Sequence, residues 1–213
     1  MLKAKLKLIT RALLGLSFVY FTWLMVLITW QYIPVNYEVA FLALKMEEIH
    51  YLHYRVAFFA HVYSSIFILI LGFVQFNNFI HRQYPKLHRN VGKIYISLIL
   101  LIAAPSGFIM GIHGNGGFYS KLSFCLQALL WFYFTYYAFK YAKKQLFTKH
   151  RDYMILSYAM TLSAVSLRLF KWIIVNTVEW APMDTYKIVV WLGWLFNIVI
   201  AFLIIRYSHK KTG

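Results

Sequence analysis

Six long apolar runs alternate with clusters of basic charge, and this pattern constrains the chain more than any motif does. The runs span roughly 11–33, 56–76, 91–112, 120–140, 152–175 and 186–205. About 20 apolar residues cross a bilayer as a helix, because hydrocarbon offers an open backbone no hydrogen-bonding partner. The expected fold is all-α: an integral membrane bundle of six transmembrane helices in one domain over 1–213. Its four-helix core is expected from helices two to five, since the loops joining them are short and favour antiparallel neighbours.

Composition bears on the partners. Only 13% of the 213 residues are charged while 62% are hydrophobic, against about 25% charged in a soluble domain. The surface must therefore face lipid, and the expected partner is the bilayer. The net charge of +16 would suggest nucleic acid in a soluble protein, but no basic stretch forms a separate domain, so no nucleic-acid partner is expected. The lone Cys125 permits neither an intrachain disulfide nor a multi-cysteine metal site and reads as a small buried hydrophobe. After the first run, Gln31-Tyr32-Ile33-Pro34 lacks the small residues of a cleavage site, so this run is expected to stay as a helix.

Charge sets the expected orientation. Lys3, Lys5, Lys7 and Arg11 precede the first helix. Arg82, Lys86, Arg89 and Lys93 surround the loop between the second and third, Lys140, Lys143, Lys144, Lys149 and Arg151 the loop between the fourth and fifth. Arg206, Lys210 and Lys211 follow the sixth. In a six-helix arrangement all of these share one side. Glu38, Glu47, Glu48, Glu179 and Asp184 take the other, and Asp152 alone joins the basic side. The basic excess marks the cytoplasm, so both termini are expected to be cytoplasmic. Trp30, Tyr32, Tyr51, Tyr54, Tyr119, Trp172 and Trp180 fall near the outer ends, where a belt of aromatic lipid anchors is expected. In the long outer loop 34–55, Met46 to His53 has helical character and is expected to extend the second helix above the membrane.

Polar groups inside a membrane are costly and mark functional candidates. His61 lies about 7–8 Å below the outer boundary of the second helix. Arg168 and Lys171 occupy the outer half of the fifth, Gln127 a similar depth in the fourth. His113 closes the third helix on the outside, before Gly114-Asn115-Gly116-Gly117. His61, Gln127 and Arg168 are expected around one outer-leaflet cavity. Arg168 keeps its charge and needs a carboxylate, carbonyls or an anionic ligand. No membrane-embedded Asp or Glu answers it, which points to a ligand carboxylate, a lipid phosphate or water.

The inner side repeats a signature. His88-Arg89-Asn90-Val91-Gly92 opens the third helix and His150-Arg151-Asp152-Tyr153-Met154 the fifth, 62 residues later. Helix starts attract anions, and the arginines strengthen this. A haem propionate, a quinone headgroup or a phospholipid phosphate suits these positions; simple anchoring of the helix start to phospholipid is the plainer alternative. The spacing suggests a weak parallel repeat of two helix pairs about an axis along the membrane normal.

These residues resemble an uncharacterised bacterial multipass family, a domain of unknown function. The resemblance rests on His61, Leu71 to Phe76, Leu87 to Tyr95, Ser106-Gly107, Gly116-Gly117, His150 to Ala159 and Leu167-Arg168-Leu169, over about 58–172. Asp152-Tyr153-Met154 departs from the Arg-Trp-Met frequent in the family. The resemblance implies a multipass protein of a bacterial inner membrane with no established reaction. A general likeness of its histidines to those of b-type cytochromes is fold-level analogy.

Three functions compete. The first is electron transfer through haem b or a quinone, with His61, His88, His113 and His150 as ligands or contacts and Arg89, Arg151 and Arg168 on acidic groups. Depth argues against simple bis-histidine pairs: His88 and His150 match but lie at the membrane edge, and His61 and His113 differ by about 7 Å. The second is metal handling or assembly, with His50 and His53 sharing an ion with Glu47; on a continuous helix His50 and His61 share one face about 16 Å apart. The third is a carrier or small-ligand binder, with the third helix loosened at Pro105-Ser106-Gly107. Six helices are few for a carrier, so that reading includes a homodimer. No phosphate loop, nucleophile triad or dinucleotide fingerprint is present.

Overall fold

A computed structural model describes residues 2–210. Lys211, counted above with the inner charges, lies outside the described residues, as do the side chains of Lys3, Lys7 and Arg11. Every regular element is helical: α1 (Leu2–Trp30), α2 (Leu52–Gln75), α3 (Asn78–Gln83), α4 (Pro85–Leu98), α5 (Ala104–Ile112), α6 (Phe118–Lys143), α7 (Phe147–Thr177) and α8 (Pro182–Lys210). A π-helical segment, Ile99–Ala103, joins α4 to α5. Contacts divide the chain into two units, Met1–Met46 and Glu47–Gly213.

Five helices are long and apolar enough to cross a membrane among the described residues: α2, the continuous Pro85–Ile112, α6, α7 and α8. In α1 the apolar stretch Gly15–Trp30 is shorter, about 24 Å at 1.5 Å per residue. Within the first unit Tyr32 is buried, and its hydroxyl accepts from the Phe41 backbone N–H at 3.3 Å. It is therefore a packing residue and not a lipid anchor. Trp30 remains exposed.

In the second unit α2 packs on α4 and α5, α5 on α6, α6 on α7, and α7 on α8. The expected core of four helices gains a fifth. Ile68, Tyr95, Ile99, Ala103, Trp131, Met154 and Met160 bury together with Trp194 of α8. Polar bonds hold α8 in place. The Trp194 indole N–H donates to Ser123 Oγ at 2.9 Å, and the Asn197 amide donates to the Ala159 carbonyl at 3.1 Å. At Gly193 the α7 and α8 backbones come so close that an added Cβ would lie 2.9 Å from Leu167 Cβ. Small residues permit such approaches between membrane helices.

The 62-residue spacing acquires a physical meaning. α4 and α7 run in the same direction, and Tyr95 meets Ser157, 62 residues on, hydroxyl to hydroxyl at 3.1 Å. Thr161 lies 3.1 Å from the same Tyr95 oxygen, and Thr135 Oγ1 sits 2.7 Å from Ser157 Oγ. Buried hydroxyls thus satisfy one another inside the bundle.

The outer loop corrects a second expectation. Single 3₁₀ turns occupy Leu42–Leu44 and Glu48–His50. Tyr51 is extended (ψ 121°) and α2 starts only at Leu52. No continuous helix carries His50 down to His61. Tyr54, placed above in the aromatic belt, is buried to 1%.

Gly193→Val is expected to destabilise the protein by about 1–3 kcal/mol, since Leu167 backbone atoms cannot yield. Gly15→Ala, with nothing within 4 Å of the added Cβ, is expected to be neutral or slightly stabilising. Thermal unfolding in detergent, followed by circular dichroism, checks both.

Candidate functional site

The π segment is where the site begins. Pro105, one residue into α5, has no N–H to give the preceding turn. The Ser106 hydroxyl donates back into the π segment, 2.6 Å from the Ile102 carbonyl and 3.2 Å from that of Ala103. Ala103, the last residue of the π segment, offers its carbonyl to a neighbouring helix: His61 Nδ1 of α2 lies 2.8 Å from it. A carbonyl accepts only, so Nδ1 carries the hydrogen and Nε2 keeps its lone pair. Gly107 makes room for the ring, because an added Cβ would lie 2.9 Å from His61 Cε1. Trp131 of α6 stands edge-on to the imidazole, with centroids 6.3 Å apart. A π segment, a glycine and a tryptophan therefore hold one imidazole, its Nε2 left for something other than backbone.

Arg168 of α7 lies within electrostatic reach of His61. Its Nη1 donates to the Ala164 carbonyl at 2.8 Å, which supplies from its own helix part of the partner sought in a ligand. Gln127 instead bonds across to α7, its amide donating to Ser163 Oγ. It serves the α6–α7 contact. Cys125 is only half-buried, with Sγ 4.0 Å from the Phe108 carbonyl.

At the end of the second unit where α2 begins and α5 ends, His53 and His113 meet with their Nε2 atoms 3.1 Å apart. Tyr51 stacks on His53 at 5.5 Å, and Tyr54 stands edge-on to His113 at 5.3 Å. His50, on the preceding 3₁₀ turn, is separated from His53 by the extended Tyr51. Among the described residues no three His, Cys, Asp or Glu side chains gather to hold a metal, so Glu47, His50 and His53 do not form the expected site.

The opposite, basic end carries the His-Arg pairs. His88 lies within electrostatic reach of His150, and its ring is 4.9 Å from that of His81. His150 Nδ1 bonds to the Ala138 carbonyl at 2.8 Å. The arginines do not converge. Arg89 donates back to the Pro85 carbonyl at 3.3 Å, while Arg151 bonds to Asp152, which also takes His209 at 2.7 Å. Gln75 was not singled out by the sequence. It is buried at this end against Gly92, and neither its Nε2 nor His88 Nδ1 has a partner among the described residues.

Haem can be tested against these positions. Iron between two imidazoles, at about 2.0 Å from each nitrogen, keeps the nitrogens about 4 Å apart. The His53–His113 pair is closer than that, and no second imidazole stands against His61. Neither place fits a bis-histidine haem.

A broken span and four further long apolar helices define the class: a helical multipass membrane protein, with the half-buried His61 imidazole tethered to a neighbouring helix. A family model described as "Predicted membrane protein (DUF2306)" matches residues 58–205, more than half of the chain, and the chain belongs to that family. The match takes in α8, beyond the stretch on which the resemblance rested. No curated protein and no solved structure matches the chain.

Gly107→Ala is expected to cost about 1–3 kcal/mol by turning His61 away from Ala103. In a His61→Ala background the same change should cost far less. A double-mutant cycle measured by unfolding in detergent reads that coupling.

Proposed function

We propose that this protein binds a quinone headgroup within the membrane, between α2, α5, α6 and α7. The observation that carries the reading is the tethered imidazole of His61, with Arg168 near it. Arg168 donates to a quinone carbonyl oxygen, and the free lone pair of His61 Nε2 accepts from a quinol hydroxyl. A quinone is mostly apolar and meets the bundle through a few placed polar groups, as small ligands generally do. The nearby positive charge also disfavours a bare cation at His61. Electron transfer with a quinone stays closer to these residues than haem b, for which His61 lacks an opposing ligand.

Six spans are part of the same reading, with α1 as the sixth, both termini cytoplasmic, and the protein in a bacterial inner membrane. The charge partition between the two ends supports it. His61 then faces the outer leaflet, and the His-Arg pairs of α4 and α7 meet cytoplasmic phosphates.

A short-chain quinone titrated into the protein in detergent should quench tryptophan fluorescence saturably. Trp131→Phe should remove most of that quenching, and His61→Leu or Arg168→Leu should weaken binding by about tenfold or more. Unchanged quinone affinity in His61→Leu would sink the reading. A Soret band shifting on dithionite reduction would move it to haem. Orientation is checked separately in a Cys125→Ser background. An impermeant maleimide should label Asn36→Cys in intact cells but Lys144→Cys only after permeabilisation, and the reverse pattern would overturn the topology.

A further inference from the structure

We infer that His53 and His113 form a binding site for one divalent transition-metal ion at the end of the bundle opposite the His-Arg pairs. The two Nε2 atoms lie 3.1 Å apart. One ion at about 2.0–2.1 Å from each nitrogen bridges such a gap with the imidazoles on adjacent coordination positions. The rings come from different helices. His53 is on the first turn of α2, and His113 follows the last residue of α5 with a non-helical backbone (φ −92°, ψ 11°).

Aromatic packing fixes both rings before any ion arrives. Tyr51 stacks on His53 at an interplanar angle of 26° and lies 6.2 Å from His113, centroid to centroid. Tyr54, buried to 1%, braces His113 edge-on. Ordered ligands lose little freedom on binding, which favours coordination. Among the described residues no third His, Cys, Asp or Glu completes the set. His53 is exposed, so the remaining positions take water or an exchangeable ligand. Two imidazoles with water select ions of the zinc, copper and nickel type over magnesium or calcium. The neighbouring Glu47 and Glu48 add negative charge to the same segment.

This site is separate from the quinone reading. His53 precedes His61 by two helical turns and more, about 12 Å along α2, and no step links them.

The test uses the full chain in detergent, without a histidine tag and stripped of metal by chelator. Cu²⁺ is titrated and followed by electron paramagnetic resonance, and Zn²⁺ by equilibrium dialysis. One ion per chain is expected, with two imidazole nitrogens in the copper signal. His53→Asn and His113→Asn should each weaken binding by about tenfold or more, while His50→Asn leaves it unchanged. No ion bound by the wild type would show that the pair is only a hydrogen bond and overturn the proposal. So would a copper signal with fewer than two imidazoles, a measurement on the wild type that does not depend on any variant folding. Loss of metal binding in His61→Asn with retention in His53→Asn would place the ion elsewhere and overturn it as well.

Discussion

A backbone carbonyl in hydrocarbon must find a donor, and the third membrane span of this protein is organised around that demand. Its helical ladder is disturbed by the π segment Ile99–Ala103 and by Pro105 just beyond. In water the freed groups would be solvated. In lipid each costs several kcal/mol unless a side chain answers. Ser106 and His61 answer here. Once His61 spends its N–H on Ala103, its tautomer is set and Nε2 becomes an acceptor inside the bundle. Gly107 follows from the same demand, because the ring must lie against α5. Structural repair and chemical opportunity are thus one arrangement, as is common where π segments interrupt membrane helices.

Several other polar side chains of the bundle are used in the same way. Ser123, Thr135, Ser157, Thr161, Ser163 and Asn197 are buried, and each bonds to a carbonyl or to another side chain. They tie α6, α7 and α8 together where apolar packing alone gives helices in lipid little reason to associate. Tyr95 extends this network to α4. Satisfied groups make a rigid frame; among the buried atoms of the described residues without a hydrogen-bond partner are Gln75 Nε2, His88 Nδ1 and Arg151 Nε at the basic end, and Ser65 Oγ, Trp131 Nε1 and Thr185 Oγ1 elsewhere in the bundle.

Much of this was legible in the sequence, because lipid enforces simple rules. Length and apolarity located the five spans found among the described residues, and the 62-residue spacing of the His-Arg pairs is also that of Tyr95 and Ser157, which meet. Other features depended on contacts between distant residues. Tyr32 and Tyr54 carry the composition of an interfacial belt, and only packing shows them to be buried. The extended Tyr51 breaks a helical pattern without Gly or Pro to announce it. The α8 helix looked like a peripheral span because its polar contacts, Trp194 and Asn197, are single residues in a long apolar run. The pairing of His53 with His113 needed the register of α2 against α5.

The histidine contacts of α2 collect at one seam. Where α2 lies against the third span, His53, His61, Ala103, Gly107 and His113 all meet across the same interface. His61 bonds the Ala103 carbonyl at the end of the π segment, inside the bundle. His113 follows the last residue of α5 and meets His53 on the first turn of α2, at the bundle's end. Two histidine contacts thus lie along one seam, and the more deeply placed one coincides with the break in the span.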